Sequence, residues 1–242
     1  MRDVAAIGLG MHAWGKFKDV GVTDLCRVAV VAALKDAGVS WREIQAVSAA
    51  SSRFSGGKGW GLNGNDVVEE MGSTGIPVYN LSAGCAAGGN AFNVGYSLVA
   101  GGFHDMVLVV GGEKMPKGFI QTSGIEDVSD PEFLRQRCDG IPGPAFWAQL
   151  TRRRMKDYGT TEEQLAKVAV KAHEVGKHNE NARFRDEFSL EKVMGSNIVC
   201  YPLRLFEICP VSDGAAAVVL CSADAAKKRT TKPLWVAASA VA

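Results

Sequence analysis

Residues 77–92 read Pro77-Val78-Tyr79-Asn80-Leu81-Ser82-Ala83-Gly84-Cys85-Ala86-Ala87-Gly88-Gly89-Asn90-Ala91-Phe92. The first six residues predict a buried β-strand, and the small-residue pattern from Ala86 to Ala100 predicts a helix. The surrounding run from Met71 to Phe103 contains no charged residue and is long enough to cross a bilayer. Because that run holds eight glycines, a proline and three asparagines, we interpret it as a strand and a helix buried within protein, not as a membrane span.

Strand-like and helix-like patterns alternate on both sides of this segment. Parallel strands require crossover connections, so the alternation predicts an α/β fold with parallel pairing in a layered sheet. The predicted strands are Val4–Gly10, Ile44–Ala50, Pro77–Ser82, Met106–Val110 and Gly214–Cys221. Five helices are predicted. The first is capped by Thr23 and Asp24 and ends at Ala37, and the last begins at a Thr160–Glu163 capping box. The other three are Asn65–Met71, Ala86–Ala100 and Ala145–Tyr158.

The segment 114–200 differs from the rest of the chain in composition. It is rich in charged residues and lacks strong strand patterns, whereas an apolar strand pattern returns at Gly214. A connection of that length between two strands is long for a loop and indicates a functional insertion. We therefore expect residues 1–113 to form the first part of an α/β core, 114–200 a mainly helical insertion, and 201–242 the return to the core.

Charge and cysteine content exclude several classes of protein. The chain carries 27 basic and 26 acidic residues, a formal net charge of +1, which argues against a nucleic-acid-binding protein. Six cysteines in 242 residues, with no C-x-x-C spacing, are too few for a disulfide scaffold. The first residues, Met1-Arg2-Asp3, and the short apolar run after them do not resemble a signal peptide. We expect a reduced, cytoplasmic protein.

Cys85 is the first candidate for chemistry, because it lies where the predicted strand of residues 77–82 meets the predicted helix. A thiol at a helix N-terminus faces unpaired backbone N–H groups, which lower its pKa and favour the thiolate. The neighbouring glycines would let a substrate approach the backbone closely. This placement suits a covalent nucleophile. The alternative interpretation is a buried structural cysteine.

The other cysteines and the histidines give weaker signals. We interpret the remaining cysteines as small core residues; they are Cys26, Cys138, Cys200, Cys209 and Cys221. His12 and His104 lie apart, and His173 and His178 are five residues apart, which does not align two ligands on one helix face. The sequence therefore predicts no metal site.

Two further motifs can be interpreted either as structural features or as ligand-binding sites. Gly8-Leu9-Gly10 with Gly15 lacks the spacing of a dinucleotide-binding loop, so a tight turn after a strand is the simpler interpretation. The basic run Arg152-Arg153-Arg154, followed by Lys156, is typical of a solvated helix face. It could alternatively contact the phosphates of a nucleotide-like ligand.

Four segments, in order along nearly the whole chain, resemble the thiolase superfamily, and most closely the sterol-carrier-protein and lipid-transfer-protein type of thiolase. The first is the Cys85 segment quoted above, and the second is Gly112-Glu113-Lys114-Met115-Pro116-Lys117-Gly118. The third runs from Tyr158 to Met194, and the fourth is Cys209-Pro210-Val211-Ser212-Asp213-Gly214-Ala215-Ala216-Ala217.

The resemblance implies a fold and an activity. The fold would be one thiolase-like α/β/α half-fold with a mainly helical loop domain that helps to bind acyl-CoA. Cys85 would be the acyl-accepting cysteine of an acyltransferase that attacks a 3-oxoacyl-CoA. An acetyl-CoA or related fragment would leave, and coenzyme A, a substrate and not a bound cofactor, would take the acyl group.

The sequence departs from the common family pattern around the nucleophile. Ser82-Ala83-Gly84 replaces an asparagine-rich stretch, and Ala87 stands where threonine or serine is common. This pattern is similar to a subgroup that works with a small zinc-ribbon/OB-fold partner, in which some members carry out retro-aldol cleavage of side-chain acyl-CoAs. A non-catalytic CoA- or lipid-binding subunit is the third alternative.

The resemblance also implies expectations about assembly. The family fold is duplicated, and the motifs of its second half are absent, so we expect either a fragment of a longer chain or a second polypeptide that supplies the rest. We further expect a homodimer in which Ile76–Ser82 lies near the two-fold axis, as the family's corresponding strand does.

Overall fold

The structure is a computed structural model that describes residues 1–52, 61–115, 143–229 and 232–241. It divides into two compact units. The first comprises Met1–Met115 and Ser212–Ala242, and the second comprises Pro116–Val211. Residues 201–211, which the sequence analysis assigned to the returning core, group with the second unit.

The described part of the first unit is built on a mixed sheet of six strands. They are β1 (Val4–Gly15), β2 (Ala46–Ser51), β3 (Val78–Ser82), β4 (Met106–Lys114), β7 (Asp213–Ser222) and β8 (Leu234–Trp235). Their order in the sheet is β3-β2-β4-β7-β1-β8. β2 pairs in parallel with β3 and β4, whereas β7 lies antiparallel between β4 and β1. The predicted α/β class is confirmed, and the predicted parallel pairing is found for β2, β3 and β4. It is wrong for β7, which returns from the insertion in the opposite direction.

Helices cover both faces of this sheet. They are α1 (Val22–Ala37), α2 (Gly64–Met71), α3 (Ala87–Ala100) and α7 (Ala223–Lys227). Alternate strand residues point to opposite faces, so Val47 packs in the cluster that contains α1, whereas Ala46 packs in the cluster that contains α3. The first unit therefore has helix, sheet and helix layers, as the family resemblance implied.

Two glycines of β1 allow α1 to approach the sheet closely. A Cβ added to Gly8 would lie 2.3 Å from the carbonyl oxygen of Ala33, and one added to Gly10 would lie 2.0 Å from that of Ala29. The interpretation of Gly8-Leu9-Gly10 as a tight turn is wrong, because β1 continues to Gly15. These glycines are required by helix packing and not by a turn.

The second unit contains three α-helices among its described residues: α4 (Gly143–Tyr158), α5 (Glu162–Gly176) and α6 (Leu190–Met194). The short strands β5 (Ile198–Cys200) and β6 (Leu203–Arg204) pair antiparallel. α5 begins after Thr161, whose hydroxyl accepts a hydrogen bond from the N–H of Gln164, so the capping box lies one residue later than predicted.

A small apolar cluster holds the second unit together around Phe188. The ring of Phe188 stacks on His173 with centroids 3.8 Å apart and lies 4.6 Å from the ring of Phe206. The Nζ of Lys192 lies 3.6 Å from the centre of the Phe188 ring, a cation–π contact. His173 is therefore used in packing within this cluster.

None of the helices in the described ranges is long and apolar enough to cross a membrane. The uncharged run that raised the question forms β3 and α3, as the sequence analysis predicted. The expectation that the strand is buried is wrong for this single chain, because β3 is an edge strand whose residues are half-buried or exposed. The low charge of the run is explained by the contact of α3 with the sheet, where Ala87, Ala91 and Val99 are buried.

Candidate functional site

Cys85 lies in the connection between β3 and α3. The strand ends at Ser82, a single 3₁₀ turn spans Gly84–Ala86, and α3 begins at Ala87. Gly84 adopts a φ of 53°, the left-handed region that disfavours other residues. This turn leaves the Cys85 thiol exposed to solvent. The alternative interpretation of Cys85 as a buried structural cysteine is therefore wrong.

The amino-terminal end of α3 directly follows the 3₁₀ turn that contains Cys85. Its N-cap residue, Ala86, provides no side-chain hydrogen bond, and its first turn contains no acidic residue. The N–H groups of Ala86 and Ala87 donate to the carbonyl oxygens of Ala83 and Gly84 in the 3₁₀ turn, and the amino-terminal end of a helix carries partial positive charge. A Cβ at Gly88 or Gly89 would meet no atom within 4 Å, so space exists above this backbone. The arrangement can accept an anionic oxygen beside Cys85.

Small residues bring α3 close to the sheet and so set the position of this end. A Cβ at Gly95 would lie 2.6 Å from a methyl group of Val109 on β4. Ser48 of β2 donates a hydrogen bond of 2.8 Å from its hydroxyl to the carbonyl oxygen of Ala91 in the middle of α3. Because both contacts are buried, the helix axis is fixed against rigid strands.

The backbone before Cys85 is tied to the end of β2. The carbonyl oxygen of Ser52 accepts a 2.9 Å hydrogen bond from the Ser82 hydroxyl and a 3.3 Å hydrogen bond from the Gly84 N–H. The Ser52 N–H donates to the carboxylate of Glu113, at the end of β4. Sequence reasoning missed Ser52 and Glu113, because no local pattern indicates that the ends of β2 and β4 meet this turn.

The other cysteines occupy different environments. Cys26 and Cys221 are buried, and burial raises the pKa of the Cys26 thiol to about 12 and that of the Cys221 thiol to about 11. Cys200 is partly buried, and Cys209 is exposed, so the interpretation of Cys209 as a core residue is wrong. Cys138 lies outside the described residues. Cys85 and Cys209 are thus the two exposed thiols in the described ranges.

The possible metal ligands and the basic run are the remaining candidates from the sequence. Across residues 1–52, 61–115, 143–229 and 232–241, no group of three histidine, cysteine or acidic side chains could hold a metal ion. The basic run of residues 152–154 lies on the exposed face of α4 in the second unit. Within it, Arg153 pairs with Asp157, and the Arg154 guanidinium lies 5.5 Å from the centre of the Tyr158 ring.

An open cavity of about 1070 Å³ lies by the amino-terminal ends of β2 and β4. It adjoins Gln45 and Met106, before or at the amino-terminal ends of β2 and β4, whereas Cys85 follows the carboxyl end of the parallel neighbour β3. Two of its cations are already paired, since Arg2 contacts Asp105 at 2.6 Å and Arg229 contacts Glu43. The cavity is therefore separate from the Cys85 turn.

Comparison with known proteins places this architecture in a family. The model of the family "Thiolase, N-terminal domain" matches residues 4–201. The chain is 40% identical over 248 aligned residues to an acetyl-CoA acetyltransferase of Methanothermobacter thermautotrophicus, with 100% of this chain and 63% of that protein covered. It is 32% identical over 243 residues to sterol carrier protein 2 of Gallus gallus, with 96% and 43% covered.

A solved structure described as an Ltp2-ChsH2(DUF35) aldolase superposes with a TM-score of 0.78 at 24% identity and covers 96% of this chain and 58% of its own. That likeness shows the fold. This chain spans less than two thirds of the length of each of these three proteins. The resemblance inferred from the four sequence segments is confirmed, and the chain belongs to the thiolase family.

Proposed function

We propose that this chain carries the acyl-accepting site of a thiolase-type acyltransferase that acts on acyl-CoA thioesters, with Cys85 as the nucleophile. The observation that supports it most strongly is the position of Cys85. The thiol is exposed and lies one residue before Ala86, the uncapped N-cap of α3. The acetyl-CoA acetyltransferase name of a relative that is 40% identical supports the same substrate class.

The reaction would proceed in two transfers. The Cys85 thiolate attacks the 3-keto carbonyl carbon of a 3-oxoacyl-CoA, a sulfur–carbon bond forms, and the carbon–carbon bond to the acetyl-CoA fragment breaks. The leaving carbanion takes up a proton to give acetyl-CoA. The coenzyme A thiol then attacks the acyl-cysteine, so that the acyl-CoA leaves and the Cys85 thiol is regenerated. Coenzyme A is a substrate throughout.

The backbone of this chain contributes to the first transfer. Negative charge develops on the carbonyl oxygen as the tetrahedral intermediate forms, and N–H groups at the start of α3 can stabilise it. The open space above Gly88 and Gly89 would admit the thioester to these groups. Their contribution depends on the geometry of the turn between β3 and α3.

The test is covalent labelling of the intact chain. Incubation with acetyl-CoA should acylate Cys85 by simple thioester exchange, in which the Cys85 sulfur bonds to the acetyl carbon and coenzyme A leaves as the thiol. Mass spectrometry of peptides should find acetyl on Cys85 and not on Cys209, which is also exposed. Cys85→Ser should remove the label and Cys209→Ser should retain it; equal labelling of both cysteines contradicts the proposal.

A second candidate is retro-aldol cleavage of a side-chain acyl-CoA with a zinc-ribbon/OB-fold partner protein. The sequence Ser82-Ala83-Gly84 and the residue Ala87 favour it, because they resemble the subgroup with that chemistry. Carbon–carbon cleavage that survives Cys85→Ala in the protein mixed with such a partner would select this candidate. Coenzyme A binding without any Cys85 reactivity toward iodoacetamide would instead select a non-catalytic CoA- or lipid-binding subunit.

We also propose that the chain forms a homodimer through β3 in a cytoplasmic setting. β3 is an edge strand that pairs on one side with β2, and its Tyr79 is 38% exposed. The unpaired backbone N–H and C=O groups of an edge strand favour pairing with a strand of another chain. The proposal of a cytoplasmic protein has a different support, which is that the cysteines in the described ranges are free thiols. Light scattering should give the mass of a dimer at micromolar concentration, and a monomer would contradict this part.

A further inference from the structure

The carboxylate of Glu113 accepts a hydrogen bond from a backbone N–H group just beyond the end of the ladder between β2 and β4. The parallel ladder between β2 and β4 ends at the pair Ala50 and Gly111. Two residues beyond that pair on each strand, the Ser52 N–H has no ladder partner and donates to the Glu113 side chain instead. A charged acceptor makes such a hydrogen bond stronger than a neutral one.

The backbone of Glu113 is fixed on both sides. It pairs with Gly214 of β7 and forms an isolated antiparallel bridge with Gly61. The side chain is partly buried. The carboxylate is therefore presented to Ser52 from a rigid part of the sheet, which is the support that a precise site requires.

Ser52 passes this restraint to the turn that holds Cys85. Only the two dihedrals φ and ψ separate the Ser52 N–H from the Ser52 carbonyl group, so anchoring the N–H restricts the positions that the carbonyl group can take. The Ser52 carbonyl oxygen accepts hydrogen bonds from the Ser82 hydroxyl, at 2.9 Å, and from the Gly84 N–H, at 3.3 Å. Gly84 directly precedes Cys85 and has the left-handed φ of 53° on which the turn depends.

We infer that Glu113 is a positioning residue that orients Cys85 for acyl transfer by holding the Ser52 backbone, with the Ser82 hydroxyl bound to the same carbonyl oxygen. This inference rests on the proposed function of Cys85. Glu113 does not touch the thiol in this arrangement and acts through Ser52 and Gly84. Its effect should appear in the reaction that depends on orientation and not in the general reactivity of an exposed thiol.

The experiment compares two rates on the same intact chain: acylation of Cys85 by acetyl-CoA, and its alkylation by iodoacetamide. Glu113→Ala should slow acylation by about tenfold or more, because an error of about 1 Å in placing a reacting group costs up to about 10²-fold. Alkylation should be nearly unchanged, because a small reagent can reach an exposed thiol from many directions. Glu113→Gln keeps an oxygen acceptor for the Ser52 N–H and should restore acylation.

The matched control is Glu70→Ala, which removes an exposed carboxylate of α2 in the same unit and should leave both rates unchanged. The inference is overturned if wild type and Glu113→Ala are acylated at equal rates, or if Glu113→Gln is acylated as slowly as Glu113→Ala.

If Glu113→Ala does not fold, as judged by circular dichroism, Ser82→Ala is the variant to test, since it removes one hydrogen bond to the same carbonyl oxygen. Slower acylation with unchanged alkylation then supports the inference, and unchanged acylation overturns it. Failure of wild-type Cys85 to be acylated at all is a separate result, because it contradicts the proposed function.

Discussion

The Nζ of Lys16 lies 2.9 Å from Oδ1 of Asp213, and this ion pair joins the end of β1 to the start of β7. Asp213 is 1% exposed, and its carboxylate also accepts hydrogen bonds from the N–H groups of Phe17, at 2.9 Å, and Met115, at 3.0 Å. One buried carboxylate therefore holds the points at which the chain leaves the first unit and returns to it.

Asp213→Asn should lower the free energy of unfolding by about 2 kcal/mol. The amide would present an NH₂ group to one of the backbone N–H donors and remove the charge that balances Lys16. Half-exposed Arg27 and Glu70, 3.3 Å apart, are the control pair, and Glu70→Gln should cost less than about 0.5 kcal/mol. Urea unfolding followed by tryptophan fluorescence measures both, and equal losses would contradict the role assigned to Asp213.

This pair also shows which part of the fold the sequence could predict. The order of strands and helices follows from local periodicity, and the predicted elements of the first unit were found with their ends shifted by a few residues. Lys16 and Asp213 are separated by 197 positions. The direction of β7 depends on contacts at such separations, so the local alternation of patterns predicted the parallel pairing of β2, β3 and β4 but not the antiparallel pairing of β7.

The sequence likewise predicted one part of the candidate site and not another. Cys85 was found because a strand, a glycine, a thiol and a small-residue helix are consecutive in the sequence. Glu113 and Ser52 were missed, although Glu113 stands in a segment that carried the family resemblance. Their hydrogen bond spans 61 positions and depends on where two strands stop pairing. Polar contacts that form beyond the end of a strand pairing produce no periodic pattern in the sequence, so local patterns cannot predict them.

The glycines of β1 provide a second prediction. Gly10→Ala should destabilise the first unit by about 2 kcal/mol or more, because the added methyl group would overlap the backbone of α1 at Ala29. Gly88→Ala is the matched control in α3, where a Cβ meets nothing within 4 Å, and it should be neutral or stabilising by about 0.5–1 kcal/mol. Thermal unfolding followed by circular dichroism distinguishes them, and a tolerated Gly10→Ala would show that α1 can shift away.

Gly84 provides a third prediction, about the turn before the nucleophile. Gly84→Ala places a Cβ in a left-handed conformation at a cost of about 1 kcal/mol, and relief of that strain should move Cys85 and slow its acylation by acetyl-CoA by about tenfold. Gly38→Ala carries the same strain, at a φ of 64°, at the end of α1. It should lower stability by a similar amount without changing the acylation rate. If both variants acylate at the wild-type rate, the conformation of Gly84 does not position Cys85.

Cys26 provides a prediction about pH dependence. Burial raises the pKa of its thiol from an ordinary value of 9.0 to about 12. Between these two values the unfolded chain releases the thiol proton and the folded chain retains it, so the unfolded state binds fewer protons. The free energy of unfolding must then decrease as pH rises through this window. Cys221, whose pKa burial raises to about 11, contributes in the same direction.

Cys26→Ala should therefore make the alkaline loss of stability less steep, even though the smaller side chain lowers stability at neutral pH by about 1 kcal/mol. The quantity to compare is the slope of the unfolding free energy against pH, measured by urea unfolding from about pH 8 to about pH 11 under reducing conditions. Cys209→Ala should leave that slope at the wild-type value, because the Cys209 thiol is exposed in the folded chain. An identical slope in wild type and Cys26→Ala would mean that water or a local opening reaches Cys26 well before the first unit unfolds. The close contact between α1 and the sheet would then be looser in solution than the packing of Gly8 and Gly10 indicates.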